Sequence, residues 1–168
     1  MTTTEGEIFD WSFLRPFEQW WPPRTIQDNP FPTVCTFRAA APPKEIADCW
    51  PPWLPVEVKS FWGVYQGGEL FKDVAYGQWG LRIFSPEASA TDTKRYREIQ
   101  PYRVTDDDLV LGEFLGDSDL LLVHRTGPVL LSTPLDKRAE WHQEPSLSLF
   151  LRQYVDRRGE KYWERRHS

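Results

Sequence analysis

Three histidines, two cysteines and a run of carboxylates are the places where this chain of 168 residues could do chemistry. His124 ends a predicted strand, His142 falls in a predicted loop, and His167 is next to the last residue. A zinc or iron centre would need HExxH, HxH or a His–Cys cluster, and none is written here. A Ser–His–Asp relay would be announced by a GxSxG elbow, which is also missing. Gly67-Gly68 has neither a Walker lysine nor a GxGxxG context, so it is not a phosphate cradle. Cys35 and Cys49 match no CxxC or zinc spacing and read as two small buried hydrophobes in a reducing compartment. No catalytic residue, metal ligand or cofactor is expected.

The acidic run has more functional reach. Residues 98–119 carry seven acidic side chains against Arg103, a local net charge of −6, within a chain of net −5. Asp106, Asp107, Asp108, Glu113, Asp117 and Asp119 could form an electronegative patch that steers and docks a basic partner. They could equally be solvated turn residues, since Asp bonds its own backbone in turns. Nine tryptophans supply a second candidate surface. Trp20 and Trp21 are adjacent and point about 100° apart on a helix, so one could face a partner while the other packs.

The elements that would position these residues follow from hydrophobic period. Leu54, Val58, Phe61, Trp62 and Tyr65 form a helical stripe, with Pro55 in the first turn, Gly67-Gly68 as the stop and Glu57 on the solvent side. Thr33–Phe37, Glu69–Phe71 and Gln78–Ser85 read as strands. Residues 86–99 are polar and read as a solvated helix or a loop. Leu109–Leu115, Asp119–His124 and Pro128–Ser132 are short strands joined by tight turns at Gly116-Asp117-Ser118 and Thr126-Gly127, hence an antiparallel meander. Leu147, Phe150, Leu151, Tyr154 and Val155 form a closing helix, with Ser146 as N-cap and Gly159 past its end. This order predicts an α+β fold, mostly an antiparallel sheet with helices packed at its side. Residues 1–43 read as a Trp/Pro-rich extension packed on or leading into a domain of 44–168.

Composition narrows the classes. No run of about 18 apolar residues exists, so no membrane span is expected. The N-terminus has no basic and apolar leader pattern, which makes the cytoplasm the expected location. The negative charge argues against non-specific nucleic-acid binding.

The stretch Leu54-Pro55, Phe61-Trp62, Tyr65-Gln66-Gly67-Gly68-Glu69-Leu70-Phe71 resembles the SMI1/KNR4 (SUKH) family, with Gln66 where the family usually has Asn. Ile83-Phe84, then Leu111-Gly112-Glu113-Phe114 with Gly116-Asp117-Ser118-Asp119-Leu120-Leu121, look like its later strands and central hairpin. Ser148–Leu151 through Gly159–Trp163 is similar to its closing helix and end. The resemblance spans residues 54–163. It implies an α+β domain without catalysis, an immunity protein that binds and neutralises a cognate polymorphic toxin, for which a basic nuclease domain is a fitting class. It also leaves open a regulatory scaffold engaging a cellular partner. A monomer or weak homodimer is expected.

Overall fold

The computed structural model describes residues 9–18, 33–50 and 52–167. Among these residues seven strands form one sheet in which each is antiparallel to the next, in the order of the chain. They are β1 Thr33–Phe37, β2 Gly68–Asp73, β3 Leu81–Ile83, β4 Asp108–Phe114, β5 Leu120–His124, β6 Val129–Ser132 and β7 His142–Glu144. The helices are α1 Pro43–Cys49, α2 Val56–Trp62, α3 Pro86–Ile99 and α4 Leu147–Asp156, with shorter 3-10 helices at Ser12–Phe17, Arg138–Glu140 and Tyr162–His167. This is the expected α+β meander with flanking helices.

Helices α2 and α4 cover one face of the sheet. The stripe Val58, Phe61 and Trp62 is fully buried there beside Phe150, Leu151 and Tyr154. Each such side chain contributes roughly 1.5–3 kcal/mol by leaving water. Bulges let the strands fill this face. Between Val34 and Thr36 the β1–β2 register shifts, Phe71 takes a positive φ of 54°, and consecutive Leu70 and Phe71 are both buried. The Phe71 N–H then donates to Cys35 Sγ at 3.3 Å. A second shift between Val110 and Gly112 leaves Leu111 pointing into the same core as Leu109 and Phe114.

The other face is covered by α3 and by the connections around Val104 and Trp141. Helix α3 looks polar because it packs through Ser89 and Thr93, one turn apart on the same side. Their hydroxyls bond the Val110 carbonyl at 2.6 Å and the Val110 N–H at 2.8 Å. Buried backbone groups need such partners. Covered on both faces, β4 to β6 are almost continuously buried.

Several expectations are corrected. The central helix stops at Gly63, and Gly68 instead begins β2, with Gly67 just before it. Gly67, at φ 137°, sits where an added Cβ would lie 2.6 Å from the Ile83 carbonyl oxygen, so it permits close approach of two strands. Strand β3 is only three residues long and leaves Trp79 in the preceding loop. Residues 86–99 form a full helix capped by Ser85. His142 lies in a strand. Helix α1 was hidden by its own prolines, since Pro42 occupies the N-cap and Pro43 the first turn. Glu57 is half-buried: its carboxylate accepts from the Leu147 N–H and, at 3.1 Å, from the Ser148 hydroxyl. It therefore sits at the N-terminus of α4, where the helix dipole favours an anion. The Ser146 hydroxyl caps the same helix by accepting from Leu149 N–H at 3.2 Å, as its sequence position suggested.

The chain before residue 44 takes part in this core. Trp11 and Leu14 are buried in it, and β1 is a strand of the sheet. Trp11 Nε1 donates to Ser60 Oγ at 3.0 Å, and the Tyr65 hydroxyl donates to Glu18 at 2.5 Å.

Candidate functional site

The acidic run does not fold into one patch. Asp108 pairs with His124 at one end of the β4–β5 hairpin and Glu113 with Leu120 at the other. Asp108 to Glu113 is five residues, about 16 Å at the rise of an extended strand. Asp106, Asp107 and Asp108 thus lie at one end, while Glu113, Asp117 and Asp119 lie at the other.

At the first end the three aspartates meet three guanidinium groups. Asp108 is 0% exposed and accepts from Arg138 Nη1 at 2.8 Å and Nη2 at 2.7 Å. Its Oδ2 also accepts from the Thr105 N–H and hydroxyl, both at 2.9 Å. Burial would raise its pKa, but the bonds from Arg138 and Thr105 outweigh burial and hold it below the ordinary carboxylate value. Arg97 donates to the carbonyls of Thr105, Asp106 and Asp108 at 3.0, 3.1 and 2.7 Å. Arg125 lies 3.3 Å from the Asp107 carboxylate. Asp106 and Asp107 are exposed; two of the three carboxylates, those of Asp107 and Asp108, are paired with arginines. Asp108, with no exposed surface, is held inside the fold by Arg138 and Thr105.

Glu113 is likewise engaged, its Oε1 3.0 Å from Arg82, which also bonds Glu69 at 3.2 Å across β2, β3 and β4. This ladder borders a groove of about 500 Å³ on the sheet, lined also by Thr36, Arg38 and Ser85.

Asp117 and Asp119 come together around Lys161. The Lys161 ammonium bonds Asp117 directly and lies 3.3 Å from Asp119 Oδ2 and 3.8 Å from Glu164. Its flanks are aromatic, with Trp79 and Phe114 ring centres 5.4 and 5.2 Å away. Burial pulls the Lys161 pKa down, but the Asp117 bond and the surrounding carboxylates outweigh it, so the pKa is raised. The Asp119 carboxyl is pushed up, with burial outweighing the pull of Lys161. Asp119 N–H donates to Asp117 Oδ1 at 2.9 Å, so the turn role expected of Asp117 is present beside the ion pair. Lys161 was missed in the sequence because its partners lie more than 40 residues away.

The described histidines have local partners. His124 Nδ1 lies 2.7 Å from the Thr126 hydroxyl in the turn after β5. His142 Nε2 lies 2.6 Å from Glu144, which also accepts from the Tyr162 hydroxyl at 2.7 Å, and the imidazole stacks on Trp163. Among the described residues no group of three or more His, Cys, Asp or Glu is placed to hold a metal ion. No helix of the described residues is long and apolar enough to cross a membrane. Trp20 and Trp21 lie outside the described residues. Trp50 and Trp62 are buried, while Trp53 is half-buried with Arg125 5.3 Å from its ring centre. No family model matches the chain, and no curated protein matches it.

Proposed function

We propose that this protein acts by binding another protein, as an immunity protein of the SMI1/KNR4 type that neutralises a cognate toxin by direct contact without catalysis. The observation that carries this reading is where the motif residues fall. Phe61-Trp62 close the helix that precedes β2, and Gly68 opens that strand. Gly116-Asp117 form the β4–β5 turn, and Phe150-Leu151 lie on the buried side of the closing helix.

The test is co-expression of the tagged chain with the product of the adjoining reading frame. A stoichiometric 1:1 complex in gel filtration with light scattering, together with restored growth of the host, is the expected result. Co-expression that yields no complex and no protection would overturn the reading.

A further inference from the structure

We infer that the β2–β3 loop is the docking surface for the partner and that the partner presents a basic surface to it; this rests on the binding reading above. The loop Val74–Gly80 displays Tyr76 at 81% exposure, with Val74 and Trp79 partly exposed beside it. Exposed aromatics of this kind are normally packed away or used in contacts.

The loop is built to hold that shape. Ala75 N–H donates to Asp73 Oδ1 at 2.9 Å, Gly77 N–H to the Asp73 carbonyl at 3.0 Å, and Asp73 N–H to the Trp79 carbonyl at 3.0 Å. Its far end is tied to the β4–β5 turn, because Leu115 N–H donates to the Gly80 carbonyl at 2.8 Å. Gly116, at φ 88°, lies against the Gln78 carbonyl so closely that an added Cβ would collide with it. A surface ordered before binding loses less entropy on association.

The base of this surface shows its acids and hides its cation. Asp117 and Glu164 are 38% and 58% exposed, whereas the Lys161 side chain is 6% exposed beneath them. The buried Arg103 is turned to Ser118 and Ser132 on the other side of the sheet. Lys72, whose stem lies beside Gly77, is paired with Glu69 at 3.4 Å. Three carboxylates, Asp117, Asp119 and Glu164, thus gather around the one buried ammonium of Lys161, a net of −2 among these described side chains. An aromatic knob with an anionic rim fits a basic protein surface. A nucleic acid would be repelled by the sign, and a second copy of this chain would bring like charges together.

The experiment measures binding of the intact chain to the purified domain encoded by the adjoining reading frame, by calorimetry at two salt concentrations. Tyr76→Ala should weaken binding about tenfold or more with unchanged thermal unfolding, since that ring is almost wholly outside the fold. Glu164→Gln should slow association and flatten the salt dependence. Lys94→Ala, on the exposed side of α3, should change neither. Equal affinity of the wild type, Tyr76→Ala and Glu164→Gln would overturn the surface and leave the binding reading intact. Loss with Tyr76→Ala but no salt dependence would overturn the basic partner. Tyr76-dependent self-association of the chain alone would replace the partner by a second copy. No complex with the wild type would overturn the binding reading, and this surface with it.

Discussion

Arg138 closes a two-point clamp on Asp108, with both guanidinium nitrogens within 2.8 Å of the two carboxylate oxygens of a side chain that has no exposed surface. The pair joins the start of β4 to the 3-10 turn before β7, thirty residues apart. Its energetic weight lies in what happens when half of it is removed. Arg138→Met leaves a buried carboxylate without its cation and should cost about 3 kcal/mol, the low end for a broken buried pair because Arg138 is a third exposed. Urea unfolding at pH 7 reads this directly.

The same clamp sets an acid dependence. The Asp108 pKa is lowered in the folded protein, so its contribution is present above the unfolded value of about 3.9 and is lost as pH falls through the folded value. Urea midpoints of the wild type should therefore drop below about pH 4, and Arg138→Met should show a shallower drop.

Lys161 gives the opposite sign. Its pKa is raised on folding, so its contribution is complete below the unfolded value of about 10.4 and disappears as pH rises through the folded one. Lys161→Met should lose about 3 kcal/mol at pH 7, because two carboxylates remain without their ammonium. Asp119→Asn should cost under about 1 kcal/mol, since burial already disfavours the charged form of Asp119 and Asp117 keeps its bond to the lysine. Chemical denaturation of the two variants and their double mutant measures the coupling.

Glu57 predicts a local effect. Glu57→Ala removes the acceptor for the Leu147 N–H and Ser148 hydroxyl and should cost about 1–2 kcal/mol. Amide exchange should accelerate at Leu147 and its neighbours before it changes in β4 or β5.

The two cysteines are unlike. Cys35 is buried, and burial pushes its thiol up to about 12, so it should resist alkylation in the folded protein. Cys49 is only half-buried and should react, slowly at neutral pH because its pKa is also raised by burial and nearby carboxylates. Thiol counting with an aromatic disulfide reagent should find one group in buffer and two in denaturant.

The elements legible in the sequence were those whose periodicity reports one buried face. The α2 and α4 stripes are of this kind, while β4 to β6, buried on both faces, were legible as continuous apolar runs. Helix α3 was ambiguous because its buried contacts are hydroxyls that serve the backbone of Val110. Strand β7 has three polar residues and no apolar signal, so only its pairing with β6 defines it. The acidic run was legible as charge but not as geometry. Strand β4 carries its two halves to opposite ends, and the arginines that bond the first half come from α3, the β5–β6 turn and the segment before β7. Tyr76 left a faint trace, an aromatic between Ala75 and Gly77, which in a single sequence does not separate a displayed side chain from a core one.

The central claim is that this protein works by occupying a partner. Its most direct test is a titration of the purified chain into the product of the adjoining reading frame, the proposed toxin, following that product's own activity. The account predicts a linear loss of activity that ends at one chain per toxin, with the end point unchanged in His124→Ala and His142→Gln. Full toxin activity in the presence of excess chain, or inhibition that proceeds with turnover at far below one equivalent, would contradict it.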